Sequence, residues 1–553
     1  MLPQNIFLYS KDLFDRGQPE PALCGYGVAN DSIVIGNDGF RSYLLYEGAR
    51  LNDLREGRFC CLYKDGESYV IRCDATGQEM LFVYEQGGDW AISNSFYLLA
   101  LFISSTRKLT VYAPALVGFH LKNGFHIGEQ LLTHRTAITE ISILPINYEI
   151  RVDSCNGKMT KHRIQDALSN DKFNYEEILI NTIEKGSGLL GAFASLGRPM
   201  NIFLSGGYDS RLVLSMLLRG TDNWGNVSVT SHEHKVNDFR VARRLCQVNG
   251  LALNAGAPSK LNMRLSSHES FKLFLLSCCG TYLPMYFQNA PRLDRSAAIK
   301  LTGDQPTGWD HFYGDGLFLG QPQKIANDIR TFLSDRPFGD EVSKDFLDVF
   351  KDLDVDIDEP TAMMSFYSAV RARHHCGRNW YKSLAGTFLV TPLMQKSFMS
   401  LDAYNRALGD HPSKLFVDAF AAFGGWALSE PFESPDRAFP SELINNSPMK
   451  NGVEIRPKKY KTYGTISADL SEKDVPGVCD VPLCFGVQKE EISSIIGGLY
   501  KGMDMSIIKE FFNNDDFEMA REQLATHRNH NMDLRKVTHM LYVDLIHKLV
   551  SHS

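Results

Sequence analysis

Apolar and polar positions give the chain two textures. In residues 1–165, short apolar stretches are broken every few residues by turn-forming pairs. "YGVANDSIVIGND" (26–38), "GRFCCLYKDGESYVIRCD" (57–74) and "EMLFVYEQGGDWAISNS" (79–95) are rich in β-branched and aromatic residues, interrupted by Asn-Asp, Asp-Gly and Gly-Gly. That pattern predicts short strands joined by tight turns. Lys64-Asp65-Gly66 predicts a hairpin, with Gly66 where the backbone needs a positive φ. "EISILPINYEIRVD" (140–153) predicts two further strands around a proline. From residue 174 the apolar spacing turns helical, and "NYEEILINTIEKGSGLLGAFASL" predicts a helix over 174–196. "MNIFLS" (200–205) and "NVSVTS" (226–231) read as strands between helical segments, the alternation of parallel βαβ units. Beyond residue 360 the pattern is mainly helical, through "EEISSIIGGLYKGM" and "DLRKVTHMLYVDLIHKLV" near the end. A Pro-, Gly-, Ser- and Lys-rich stretch at 425–485 reads as a long loop.

Composition adds bounds. The 553 residues are enough for two to four domains of ~150 residues each. A net charge of −7 argues against nucleic acid as the main partner. The 11 cysteines include no C-x-x-C pair, and Cys60–Cys61 and Cys278–Cys279 sit in apolar stretches as buried thiols. The odd count, and an N-terminus without the layout of an export signal, predict a reducing cytoplasm. No apolar run approaches the ~18 residues of a membrane helix, so no membrane partner is expected.

The most specific chemistry lies in "NIFLSGGYDSRLVLSML" (201–217). A buried strand ending at Leu204 runs into Ser205-Gly206-Gly207-Tyr208-Asp209-Ser210, and a leucine-rich helix follows. Glycines let the backbone turn sharply and approach a ligand. The N–H groups and dipole at the helix start favour an anion, and two hydroxyls add donors. Asp209 suits a Mg²⁺ ion held against a pyrophosphate. Two histidine clusters, "RARHHCGR" (371–378) and "HEH" (232–234), invite a zinc reading. Each lacks a partner pair, so they read as a helix end or substrate surface.

The Ser-Gly-Gly-x-Asp-Ser turn resembles the pyrophosphate loop of N-type ATP pyrophosphatases. The wider sequence is similar to the asparagine synthetase family over roughly residues 30–465. Members often have Leu-Asp-Ser-Ser where this chain has Tyr208-Asp209-Ser210-Arg211. "SHEHKVNDFRVARRLCQVNGL" (231–251) resembles the segment after the second strand, with Thr230 at the nucleotide and Asp238 in support. "KLTGDQPTGWDHFYGD" (300–315) resembles the third motif: Thr302, Gly303 and Asp304 fit its start, and Asp310 is its second acid after an insertion. "GTFLVTPLMQ" (386–395) resembles Glu-x-Arg-x-Pro-Phe-Leu-Asp. Lys414 matches the lysine that follows, and "IRPKKYKTY" (455–463) an Arg-x-Lys segment. The first domain resembles the family's glutaminase.

The resemblance implies an α+β, Ntn-type glutaminase-like β sandwich over 1–165. An α/β synthetase domain with a parallel sheet and many helices occupies 166–553. It implies ATP and Mg²⁺ held by Leu204–Ser210, Thr230 and Gly303, with metal at Asp209 and Asp310. Asp304 and a lysine of the late loop would be catalytic: Lys458 first, Lys459 or Lys461 as alternates. Two departures narrow the activity. The chain begins Met1-Leu2-Pro3, whereas glutamine-hydrolysing members expose a cysteine there. The family's Glu, Arg and Asp fall on Phe388, Val390 and Gln395. The expectation is therefore an amide-forming ligase without glutaminase activity, similar to beta-lactam synthetase and the lasso-peptide cyclases. Its partners would be a small-molecule or peptide carboxylate, an amine donor, and a second copy or pathway protein. The alternative is a non-catalytic relative that binds nucleotide or a partner with the same fold.

Overall fold

The computed structural model describes residues 6–46, 49–121, 127–164, 173–255, 262–264, 267–283, 292–294, 298–307, 321–359, 361–377, 387–466, 492–526 and 534–551. The fold is mixed α/β. The alternating stretches of the first part form a sandwich of a seven-stranded and a four-stranded sheet. The larger runs Met159–Arg163, Tyr148–Asp153, Ser68–Cys73, Glu56–Asp65, Ala22–Val28, Ser32–Ile35, Lys461–Tyr463. The smaller runs Leu8–Ser10, Asp89–Ser93, Phe82–Gln86, Ile141–Ile143. The predicted hairpin closes between Asp65 and Ser68, and Gly66 takes a φ of 60°. Cys60, Leu62 and Ile71 from one sheet meet Val83, Trp90 and Ile92 from the other in a dry core. The residues next to them, Cys61, Tyr63 and Val70, point to the opposite face and are buried in a second core, so these strands are covered on both sides.

The second part is built on a parallel sheet in the order Val227–Thr230, Met200–Phe203, Ile299–Leu301, Phe388–Val390. Met200 pairs with Val227 on one side and Ile299 on the other. The long helix Tyr175–Ala194, capped by the Asn174 side chain on Glu177 N–H, packs on the helix Tyr208–Gly220. Its buried Ile183, Leu190 and Phe193 join Leu212, Met216 and Val229 in one core.

Two sequence expectations change. The stretch 425–485 is not one long loop. It carries helices Trp426–Ser429 and Ser441–Asn446, a helical turn Pro435–Arg437 and the strand Lys461–Tyr463, while 467–491 lie outside the described residues. That strand pairs in parallel with Ser32–Ile35, Lys461 opposite Ser32 and Tyr463 opposite Val34, so the first sheet takes a strand from far beyond residue 165. The cores are shared as well. Phe96, Leu99 and Ile103 pack with Leu276, Phe346 and Tyr542 from the later helices. Among the described residues, no helix is long and apolar enough to cross a membrane.

Candidate functional site

The parallel sheet has a topological switch. The chain leaves Met200–Phe203 for a neighbour on one side, Val227–Thr230, and returns on the other at Ile299–Leu301. In open α/β sheets, the crevice beyond the carboxyl ends of two such strands is where ligands bind. Here the two following segments, 204–210 and 302–304, meet in that crevice. A Cβ built on Gly303 would lie 2.7 Å from Asp209 Cβ and 2.9 Å from Ser210 N, so only glycine lets the segments touch.

The turn is internally bonded. Gly206 N–H donates to Asp238 Oδ1 (2.8 Å), Gly207 N–H to Ser205 Oγ (3.3 Å) and Ser205 N–H to Ser210 Oγ (3.1 Å). The Ser205 and Ser210 hydroxyls share a hydrogen bond of 3.0 Å. Gly207 is the N-cap of the helix, with Asp209 in its first turn. Thr230 ends the adjacent strand: its C=O accepts from Leu204 N–H (2.8 Å) and its hydroxyl donates to Asn201 Oδ1 (3.1 Å). Thr302 Oγ1 donates to Asp304 Oδ2 (3.0 Å), and Thr302 N–H to Val390 O (3.2 Å), which ties the third segment to the fourth strand. His232 of the "HEH" cluster lies against the Phe203 ring, tilted by 53° with centroids 4.5 Å apart.

Tyr208 and Arg211, the positions where this chain departs from Leu-Asp-Ser-Ser, have a shared partner. It is the strap 426–439, which crosses the loop. Arg211 is fully buried. Its guanidinium donates to the carbonyls of Ala427 (2.7 Å), Glu430 (2.9 Å) and Pro431 (2.6 Å) and lies 3.9 Å over the Phe432 ring. Burial pushes its pKa down to about 10, against the nearby Glu433 and Glu430, so it remains charged at neutral pH. Tyr208 stacks on Phe439 (4.7 Å), contacts Phe432 (4.7 Å), and its hydroxyl donates to Arg437 O. The strap also sets Glu433 on the glycines. A Cβ on Gly206 would meet Glu433 Cβ at 2.6 Å, and both Glu433 Oε2 and Asp238 Oδ1 at 3.1 Å. Sequence reasoning missed Glu433. The available signal was the pair of departures at 208 and 211, since a buried arginine must find carbonyls or carboxylates somewhere.

Other expected site residues lie elsewhere. Lys458 and Lys459 are not placed at the loop. Lys458 N–H donates to Glu184 O (3.0 Å), and the Lys458 carbonyl packs against Gly188 of the helix Tyr175–Ala194. Ser187 and Gly191 of that helix lie against Gly220, the opposite end of the loop helix from Tyr208. That helix has 13 residues and is about 20 Å long at its usual rise. The Lys458 ammonium sits near the Tyr460 ring (5.9 Å), and burial and Lys185 lower its pKa. Lys459 is exposed, and Lys461 lies over Tyr46 at 4.6 Å. Pairing of Lys461–Tyr463 with the first sheet holds the stretch there. Asp310 lies outside the described residues.

At 371–377 the structure forms a helix end at the junction with the first domain. His374 Nδ1–H donates to Val370 O (2.8 Å), and burial pushes its pKa down to about 3. Arg373 Nε donates to Gly77 O (3.1 Å), and Arg58 of the sandwich donates to Gly377 O (3.0 Å). Among the described residues, no three His, Cys, Asp or Glu side chains converge as a metal centre. The loop's donor set nonetheless fits a pyrophosphate with Mg²⁺. It offers a glycine cradle, two hydroxyls, a helix start and the Asp209 carboxylate, and Mg²⁺ in such sites takes most of its ligands from phosphate and water. No protein-family model matches this chain, and a search of curated proteins finds no match.

Proposed function

We propose that this chain is an ATP- and Mg²⁺-dependent amide-forming ligase of asparagine synthetase type. It joins a carboxylate to ammonia, a free amine or an amine of the same substrate, and releases AMP and pyrophosphate. The observation that carries this reading is the meeting of Ser205–Ser210 and Thr302–Asp304 at the switch point of the parallel sheet.

In this reading Gly206, Gly207 and the hydroxyls of Ser205 and Ser210 receive the β- and γ-phosphates of ATP. Asp209 would hold Mg²⁺, which would supply positive charge beside the pyrophosphate. Leu204 and Thr230 flank the nucleotide, and Asp304, oriented by Thr302, faces the reacting end. A substrate carboxylate oxygen bonds to the α-phosphorus as the bond to pyrophosphate breaks. The amine then displaces AMP from the acyl group and gives up a proton. The protein's work is positioning and charge stabilisation. Lys458 and Lys459 are left out of the phosphate contacts because Lys458 is bound to the helix Tyr175–Ala194 and the following residues pair with the first sheet. The sandwich with strand Lys461–Tyr463 is read as an Ntn-type scaffold retained for packing, and the protein as cytoplasmic.

The test is pyrophosphate release from ATP, and ATP–Mg²⁺ stabilisation against heat, in wild type and Asp209→Asn. Ligand binding stabilises by mass action, so the wild type should shift upward and the variant should lose most of the Mg²⁺-dependent part. An equal shift in both removes Asp209 from the metal. Nucleotide binding without pyrophosphate release from any carboxylate and amine would instead support a non-catalytic binding protein.

A further inference from the structure

We infer that Glu433 is a built-in occupant of the glycine loop, and that anions enter only when the strap 426–439 withdraws it. This rests on reading Ser205–Ser210 as a phosphate loop, and it adds a gate to that loop. An anion site at a helix start is unoccupied by protein when it is ready for ligand. Here a carboxylate lies on Gly206. Glu433 Oε2 and Asp238 Oδ1 are each 3.1 Å from the same point on that glycine, so they lie no more than about 6.2 Å apart. Two carboxylates that close repel each other and any incoming phosphate. Asp238 is bonded to Gly206 N–H, whereas Glu433 Oε2 is buried with no hydrogen-bond partner. Arg437 Nε is 3.9 Å from Glu433 Oε1, and the buried Arg211 is a second cation close enough to interact with Glu433. With no hydrogen bond to Oε2, the carboxylate is held over Gly206 by the charges of Arg437 and the buried Arg211 and by the anchoring of the strap. Arg211 binds three carbonyls at 427–431 on one side, and the Tyr208 hydroxyl binds Arg437 O on the other.

Both anchors, Tyr208 and Arg211, lie in the first turn of the loop helix, so strap and loop move as a coupled pair. Displacing Glu433 would free the space over Gly206 and Gly207 and remove one negative charge. An anion that arrives has to meet that cost, which lowers its apparent affinity by the fraction of molecules with the strap open.

The experiment is calorimetric titration of the full chain with inorganic pyrophosphate and with ATP, each with and without Mg²⁺, in wild type, Glu433→Gln and Glu433→Ala. Hydrogen exchange of 426–439 is followed in parallel. Both variants should bind pyrophosphate at least ~10-fold more tightly than wild type, a change worth about 1.4 kcal/mol. The gain should be largest without Mg²⁺, and in wild type each ligand should deprotect 426–439. Equal affinities in all three proteins would overturn the gate while leaving the phosphate loop standing. Weaker binding of ATP–Mg²⁺ by Glu433→Gln would also overturn it, since Glu433 would then be a metal ligand. No binding of either ligand by any of the three would overturn the phosphate loop and the gate together. Glu433→Gln keeps the side chain's shape, so it carries the result if Glu433→Ala unfolds.

Discussion

Replacing Arg211 by methionine should loosen the strap without unfolding the domain. The wild-type guanidinium is fully buried and donates to Ala427, Glu430 and Pro431. Hydrogen bonds from a charged donor are worth about 1.5–3 kcal/mol each, so rigid loss of all three would cost roughly 5–9 kcal/mol. Two effects reduce that. Methionine removes the desolvation penalty of a buried cation. The strap can also swing outward until its carbonyls reach water, which caps the cost at the strap's own packing. The apolar anchors there are Phe432 and Phe439, both buried; exposing both costs about 3–6 kcal/mol at ~1.5–3 kcal/mol per side chain. The expected loss of global stability is therefore ~2–4 kcal/mol. Urea unfolding measures it, and hydrogen exchange locates it. Protection should fall at 426–439 much more than at 212–217, the core of the loop helix. Arg211→Lys keeps the charge and loses the fork, so it should recover less than half of the protection. Unchanged protection at 426–439 in Arg211→Met would show that the strap does not hang on Arg211.

Two shorter predictions follow from the same structure. Gly303→Ala should force segment 302–304 away from Asp209 and Ser210, cost ~1–3 kcal/mol of stability, and abolish the ATP-induced thermal shift; a normal shift refutes the contact. Glu79, buried beside Arg58 at 2.9 Å, is pushed up to about 7 by burial. Its folded value lies above its unfolded one, so its ionisation penalises the fold fully above pH 7, and the penalty disappears as pH falls from about 7 to 4.5, by at most ~3 kcal/mol. Buried His374 works in the opposite direction below pH 6.5, so the quantity to measure is the difference between wild type and Glu79→Gln across pH 5–8, which should change with that sign.

What the sequence revealed and what it hid separate along physical lines. Strand and hairpin positions in the sandwich follow from β-branched and aromatic content and turn chemistry, both local, and Gly66 and the two strands of 140–153 appear where the pattern puts them. The Ser-Gly-Gly turn was legible for the same reason: backbone freedom and donors concentrate in six consecutive residues. The strap was not. Its hold on the loop comes from a guanidinium reaching carbonyls more than 200 residues away, and a carbonyl has no residue identity to read. Lysines 458–461 misled because a basic, proline-containing stretch looks like a mobile phosphate loop. Only the pairing partner at Ser32–Ile35 shows that Lys461–Tyr463 is a strand.

That pairing bears on the boundary at residue 165. The texture of the sequence changes there, yet the physical unit does not end there. Ser32–Ile35 is almost wholly buried, with Ile33, Val34 and Ile35 at 1%, 0% and 4% exposure. Its outer edge is covered by Lys461–Tyr463, and Gly39 is packed against the backbone of Tyr463 and Gly464. Beside the other sheet, Phe96, Leu98 and Leu99 of the helix Phe96–Ser104 are buried in a core completed by Leu273–Leu276 and by residues of 537–549 in the last helix. Residues 1–165 alone would therefore expose an unpaired strand edge and an apolar helix face, both of which promote aggregation. The junction would also lose Arg58 to Gly377 O and Gln78 Oε1 from Thr391 Oγ1 (2.8 Å), leaving polar groups shaped for partners that are missing. Expressed alone, residues 1–165 should be aggregated or lack a cooperative thermal transition. The complementary piece, 166–553, should fare no better, since Tyr26 and Ile33 belong to its core. Mixing or co-expressing the two should restore a single transition. A soluble 1–165 fragment with dispersed amide resonances and its own cooperative melt would show that the sandwich stands without its borrowed strand.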